Sequence, residues 1–137
     1  MTFQVTFNVY GDVVPKARPR FTRSGHAYTP KRTSDYESEV AAMAKRAMGG
    51  SPALETPVDA FIYVTMAIPP SWSKKRQEAA LGQPHTQRPD LDNQVKAITD
   101  AINGIIYKDD SQICSLHCKK VWGTTGMVQV LVREHLP

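Results

Sequence analysis

The sequence predicts an α+β protein in which a mixed β-sheet packs against helices, with its elements in the order β-α-β-α-α-β-β. Two kinds of apolar spacing predict this class. Alternation with period two is typical of half-buried strands, and spacing of three and four residues is typical of helices. The chain has 137 residues, a common length for one domain, so we expect residues 1–137 to form a single domain.

The first half of the chain predicts a strand, a basic loop and a helix. Phenylalanine and valine at positions 3, 5, 7 and 9 alternate with polar residues, which predicts the strand. Pro15 and Pro19 exclude helix from the basic segment that follows, and Ser24–Gly25 predicts a tight turn within it. A capping box formed by Ser34 and the glutamate three residues later predicts a helix that ends at Gly49.

The rest of the chain predicts three strands and two helices. Residues 58–68 are rich in β-branched and aromatic side chains, which predicts a central strand, and Ser73 is expected to cap a short basic helix through residue 80. Apolar residues at 91, 95, 98 and 102 predict a helix from about 91 to 103, ended by Gly104. Residues 113–122 and 127–133 are expected to form a hairpin across 123–126.

Composition limits the class of protein. Hydrophobic residues make up 41% of the chain, enough for a core without disulfides or a structural metal. No apolar run approaches the roughly 20 residues that span a bilayer, and the N-terminus lacks the basic and apolar regions of a signal peptide. Two cysteines fit a reducing compartment. We therefore expect a soluble, cytoplasmic protein without a membrane partner.

Charge is distributed unevenly along the chain, whose net charge is +4. Five of the eight aspartates fall between Asp90 and Asp110. The segment from Pro15 to Arg32 contains no acid, and its cations are Lys16, Arg18, Arg20, Arg23, Lys31 and Arg32. An enzyme that holds a divalent metal against a polyanion needs this separation, although a solvated basic loop and ordinary helix caps would also produce it.

Asp90 and Asp92 stand at the predicted N-terminus of a helix, where backbone N–H groups favour ionised carboxylates. Lys96 lies about 40° around that helix from Asp92, and Asp100 about 80°, so the three share a face. Either Asp109 or Asp110 could return towards the pair after the helix ends. Clustered carboxylates repel one another unless a cation is bound, and ionised oxygen ligands are those that Mg²⁺ prefers.

These motifs resemble those of the RusA family of Holliday-junction resolvases. The resemblance rests on Arg-Pro-Asp-Leu-Asp-Asn at 88–93, Lys96, Asp100-Ala101 and Asp-Asp-Ser-Gln-Ile at 109–113. The basic opening Pro-Lys-Ala-Arg-Pro-Arg-Phe at 15–21, followed by Tyr-Thr-Pro at 28–30, is similar to the N-terminal pattern of phage-type members. The stretch between Asp100 and Asp109 is one residue shorter than in the bacterial type protein, which leaves the choice between Asp109 and Asp110 open.

The resemblance implies a function and a set of site residues. Asp90, Asp92 and Asp110 are the expected catalytic metal ligands for Mg²⁺, with Mn²⁺ as a substitute, and Lys96 is the expected catalytic lysine. The six cations between residues 16 and 32 are the expected DNA-binding residues. A homodimer would resolve Holliday junctions in branched DNA by paired symmetrical nicks, in recombination and repair. The alternatives are a nuclease selective for other branched DNA and a junction-binding protein that does not cleave.

Cys114, His117 and Cys118 could suggest a zinc site. In a strand His117 would face away from the two cysteines, and no fourth ligand is spaced suitably, so we expect buried, inert thiols. His135 is expected to carry no chemistry.

Overall fold

The computed structural model describes residues 2–137 and has the predicted α+β class. The predicted order of elements is confirmed, with a two-stranded hairpin added inside the basic segment. In chain order the elements are β1 (Gln4–Tyr10), β2 (Arg20–Phe21), β3 (Ala27–Tyr28), α1 (Lys31–Met48), β4 (Val58–Ala67), α2 (Lys74–Ala80), α3 (Leu91–Ala101), β5 (Ile113–Gly123) and β6 (Met127–Glu134).

The main sheet has four strands in the order β1-β6-β4-β5. Strand β4 is central, as predicted: it pairs parallel to β5 on one side and antiparallel to β6 on the other. Strand β1 completes the sheet by pairing antiparallel to β6. The sheet is therefore mixed, with β5 and β1 at its edges.

The predicted hairpin between β5 and β6 is wrong, because β4 lies between these two strands. The three residues that join them, 124–126, cross over the end of β4. Next-but-one strands are separated by about 9–10 Å, a distance that three connecting residues can span. Strand β4 is apolar along most of its length, so strands on both of its edges bury more apolar surface than a local hairpin would.

The core lies between one face of this sheet and the helices α1 and α3. Strand β4 contributes Val58, Ala60, Ile62 and Val64, which are at most 1% exposed. Helix α3 contributes Val95 and Ile98 together with Ile102 just after it, in agreement with the predicted apolar stripe. This packing places α3 next to the edge strand β5.

The N-cap of helix α1 lies four residues before the predicted cap. Its N-cap is Pro30, and no side chain caps it, so the capping box predicted at Ser34 is wrong. The backbone N–H of Ser34 instead donates to the carbonyl of Pro30 inside the first turn. A proline fits just before a helix because its φ is already near the helical value. Lys31 and Arg32 consequently belong to the helix rather than to the basic loop.

The predicted cap of α2 and the predicted turn at Ser24–Gly25 are confirmed. The hydroxyl of Ser73 accepts a hydrogen bond from the backbone N–H of Arg76 at 3.2 Å. Gly25 has φ 85° in the turn that joins β2 to β3. None of the helices within residues 2–137 has the length and apolar character required to cross a bilayer.

Candidate active site

A cleft of about 790 Å³ lies between α3 and the edge strand β5. Its floor is apolar and comes from both elements. Three charged side chains line it, Asp92 and Lys96 from α3 and Asp110 from the turn before β5. The fold thus brings together two acidic segments that are 18 positions apart in the sequence, as the sequence predicted for Asp92 and Asp110.

Asp90 lies at the N-cap of α3, outside the side chains that line this cleft. Its backbone is extended, and its exposed carboxylate makes no capping hydrogen bond. The preceding segment is held by Lys120, whose Nζ donates to the carbonyls of Gln87 at 2.7 Å and Pro89 at 2.6 Å. Burial lowers the pKa of Lys120, and the nearby Asp90 carboxylate opposes that effect.

Asp109 and Asp110 have different surroundings. Asp109 caps the 3₁₀ turn Asp110–Gln112: its carboxylate accepts from the backbone N–H of Ser111 at 3.2 Å. Hydrogen bonding from Ser111, from its side chain first and then from its backbone N–H, lowers the pKa of Asp109. The Asp110 carboxylate accepts no protein hydrogen bond and forms no ion pair within residues 2–137, and it lines the cleft. Asp110 is therefore the member of this pair whose oxygens are available to a ligand there.

Gln112 fixes the turn that carries Asp110, a role that sequence reasoning missed. Its Oε1 accepts from the backbone N–H of Asp109 at 2.9 Å, which completes a capping box. Its Nε2 donates to the carbonyls of Leu54 and Thr56, each at 2.9 Å. The Asp-x-x-Gln spacing is a capping signature that could have revealed the first contact. The contacts to residues 54 and 56 are tertiary and have no local signal.

Lys16 and Asp100 join the basic segment to α3. The Nζ of Lys16 contacts Glu37 at 2.7 Å and Asp100 at 3.3 Å, and the other oxygen of Asp100 lies 3.5 Å from the Nζ of Lys96. Burial lowers the pKa of Lys16, but its contacts with Glu37 and Asp100 outweigh burial and leave that pKa above its ordinary value. Lys96 and Asp100 share a face, as predicted, and Lys16 is already neutralised by carboxylates.

The other predicted DNA-binding cations are exposed. They project from the loop, the β2–β3 hairpin and the first turn of α1, and they are Arg18, Arg20, Arg23, Lys31 and Arg32. Phe21 and Tyr28 on the hairpin are 69% and 47% exposed. Arg32 lines a smaller cleft with Arg88 and Pro89, next to Asp90, so the basic segment adjoins the acidic one.

The donor chemistry of the three predicted ligands fits Mg²⁺. Each offers carboxylate oxygens, and among residues 2–137 no hydrogen bond or ion pair occupies them. The carboxylate oxygens of the three predicted ligands do not all lie within 4.8 Å of one another. Repulsion between like charges opposes closer approach of these side chains without a cation.

Comparison with known proteins shows the family of this chain. The family model described as "Endodeoxyribonuclease RusA" matches residues 11–133, which include every element of the site. The chain belongs to the RusA family. The protein is thus a RusA family endodeoxyribonuclease, and the family implies Holliday-junction resolvase activity on branched DNA. The chain is also 37% identical over 138 residues to "Uncharacterized protein YqaN" of Bacillus subtilis (strain 168). The alignment covers 95% of this chain and 96% of that protein.

Proposed function

We propose that the protein is a Mg²⁺-dependent endodeoxyribonuclease that resolves Holliday junctions by paired symmetrical nicks. The observation that carries this proposal is the cleft between α3 and β5, where Asp92, Lys96 and Asp110 meet. A nuclease of this class needs carboxylates for a metal and a cation for the phosphate in one place. Family membership implies the substrate.

In the proposed site Asp90, Asp92 and Asp110 hold the metal, with Mn²⁺ as a substitute. Bound Mg²⁺ supplies Lewis-acid polarisation of the scissile phosphate. Asp92 and Asp110 line the cleft from two different elements, α3 and the turn before β5, so their carboxylates can hold one cation between these elements. The turn held by Gln112 keeps Asp110 in place, and Lys120 does the same for the chain before Asp90.

Lys96 has the role of stabilising negative charge on the phosphate. It lies one helical turn after Asp92 and lines the same cleft. Its Nζ is 3.5 Å from Asp100, and its side chain is 62% exposed, so the ammonium group is oriented and still accessible to DNA. A compact ammonium charge suits a single phosphate oxygen.

The exposed cations of the basic segment are proposed to hold the DNA backbone. Phosphate contacts position a nucleic acid without reading its sequence, as recognition of a branch point requires. Lys16 is excluded because its half-buried partners Glu37 and Asp100 already neutralise it, whereas Lys31 contacts Asp35 at 2.7 Å but remains exposed to DNA. A homodimer would match the two-fold symmetry of a four-way junction and place one site on each of two opposed strands. DNA as the substrate also agrees with a cytoplasmic location.

The test compares two neighbouring aspartates on a labelled four-way junction and on linear duplex of the same sequence, with Mg²⁺ or with EDTA. Asp110→Asn is expected to reduce junction cleavage by about 100-fold or more while junction binding persists. Asp109→Asn is the matched control and should cleave at close to the wild-type rate, since asparagine can also cap the turn.

Other results would point to the alternatives. Binding of the junction without Mg²⁺-dependent cutting would indicate a junction-binding protein. Preferred cutting of flaps or forks would indicate a nuclease for other branched DNA. Cleavage by Asp110→Asn at the wild-type rate would remove Asp110 from the site.

A further inference from the structure

A second group of potential metal ligands lies where the central strand begins, and it contains none of the three aspartates of the proposed active site, although its member Cys114 also lines the cleft between α3 and β5. Asp59 of β4, Cys114 of β5 and His135 just after β6 each offer a ligand atom, and these atoms all lie within 4.8 Å of one another. The three residues come from distant parts of the chain, so their convergence is a product of the sheet topology. We call this group the DCH cluster.

Asp59 is the buried centre of the DCH cluster, with a side chain only 7% exposed. Its Oδ2 accepts from the Nε of Arg133 at 3.2 Å, and its Oδ1 lies 2.7 Å from the Nδ1 of His135. The hydrogen bond with His135 lowers the pKa of Asp59, so the carboxylate is ionised at neutral pH. One oxygen is therefore held by arginine while the other faces histidine and cysteine.

Cys114 reaches the cluster through an irregularity in the sheet. The register of β4 against β5 shifts between Val58 and Asp59, which pair with Ile113 and Ser115, so Cys114 is an extra residue opposite them. Such bulges redirect a side chain. The Sγ of Cys114 lies 3.5 Å from the carbonyl of Val58 and 3.9 Å from the Oδ1 of Asp59.

The expectation of buried, inert thiols is wrong for Cys114, which is exposed. Asp59 is already satisfied by Arg133 and His135, so the long contact with Cys114 adds little to a purely structural ion-pair network. Cys118 differs, because it is half-buried and burial raises the pKa of its thiol. The thiol of Cys114 is therefore a potential metal ligand that the ion pairs of Asp59 do not require.

We propose that the DCH cluster binds one thiophilic divalent cation, of which Zn²⁺ is the representative. Thiolate, imidazole and carboxylate together are a zinc ligand set, whereas Mg²⁺ prefers oxygen ligands alone. The ion binds the Nδ1 of neutral His135, whose single ring proton moves to Nε2, and the ionised carboxylate of Asp59. Cys114 releases its proton to solvent as it becomes a thiolate, so binding releases one proton.

The surroundings supply the rest of the site. Arg133 stays on the far oxygen of Asp59 and orients the carboxylate, as outer partners of metal ligands do. Cys114 is exposed and the side chain of His135 is 44% exposed, so the fourth position is open to water. The backbone N–H of His135 donates to the carbonyl of Pro57 at 2.9 Å, which already anchors this end of the chain. The ion would fasten the last residues to β4 and β5.

The test is a Co²⁺ titration of the full-length protein at neutral pH, followed through the near-ultraviolet charge-transfer band of a thiolate–Co²⁺ bond. We expect a band that saturates at one equivalent and disappears when Zn²⁺ is added. Cys114→Ser should abolish the band, and His135→Ala should weaken Co²⁺ binding by at least about 10-fold. Cys118→Ser, the matched control, should leave the band unchanged.

Asp110→Asn separates this inference from the proposed nuclease site, because it should leave the band intact while it removes cleavage. Absence of a saturating band would overturn the proposal, as would a band that persists in Cys114→Ser or is lost in Cys118→Ser. Thermal unfolding of each variant without metal checks that it is folded. Protection of one thiol from alkylation by added Zn²⁺, lost in Cys114→Ser, is the second readout.

Discussion

Replacement of Gln112 by alanine tests whether the turn that carries Asp110 is held as the structure indicates. The side chain of Gln112 makes three hydrogen bonds, to the backbone of Asp109, Leu54 and Thr56. At about 0.5–1.5 kcal/mol for each bond, their loss would cost about 1.5–4.5 kcal/mol. Water can replace the exposed bonds to Asp109 and Thr56, so we expect the lower part of that range, a loss of about 1.5–3 kcal/mol in the free energy of unfolding.

The assays are urea unfolding and cleavage of a four-way junction. For a chain of this length the loss corresponds to a fall in Tm of about 5–12 °C. Asp110 would no longer be fixed, so the cleavage rate should fall by about 10-fold to 100-fold. Gln129→Ala is the matched control, because Gln129 is exposed on β6 and its side-chain amide makes no hydrogen bond within residues 2–137. A Gln112→Ala protein with the unfolding free energy of the wild type would refute the reasoning.

Two further substitutions test the frame around the site. Lys16→Met should lower the free energy of unfolding by about 1–2 kcal/mol at neutral pH. Because contacts with Glu37 and Asp100 raise the pKa of Lys16, its stabilisation is complete below the ordinary lysine value of about 10.4 and is lost as pH rises through the raised value. Unfolding measured against pH should therefore show the two proteins converging at alkaline pH, and a constant difference would contradict the ion-pair role. Gly123→Ala places a methyl group against the Cγ2 of Thr65 at the end of β4. It should cost about 1–3 kcal/mol in urea unfolding, part of which the added change Thr65→Ser should recover; no recovery would place the cost elsewhere.

The parts of the fold that the sequence predicted are those with a local signal. Alternation in β1, the apolar run of β4 and the spacing in α3 each report burial by a nearby core, and all three elements formed where expected. The start of α1 was missed because Ser34 offers a good local cap while Pro30 precedes a better-packed first turn, in which Thr33 is buried. Tertiary burial outweighed the local preference there.

The parts that the sequence did not predict depend on contacts between distant residues. No local pattern reports that β4 would separate β5 from β6, since a glycine-rich connection serves a hairpin and a crossover equally well. Two such contacts follow from the parallel pairing of β4 with β5. They are the hydrogen bonds from Gln112 to residues 54 and 56 and the contact between Asp59 and Cys114. A sequence motif indicates which residues could bind a metal, but the pairing of strands determines which side chains lie beside them.

The parallel pairing of β4 with β5 also explains how the candidate site can form. Had β5 paired only with β6, nothing in the strand order would place its first residues next to the beginning of β4. With β5 parallel to β4, Ile113 lies opposite Val58, and the loop before β4 supplies the carbonyls that Gln112 holds. That contact fixes Asp110 at the end of the sheet where the first turns of α3 present Asp92 and Lys96. Asp92 and Asp110 therefore line one cleft because of a strand order that neither acidic segment encodes.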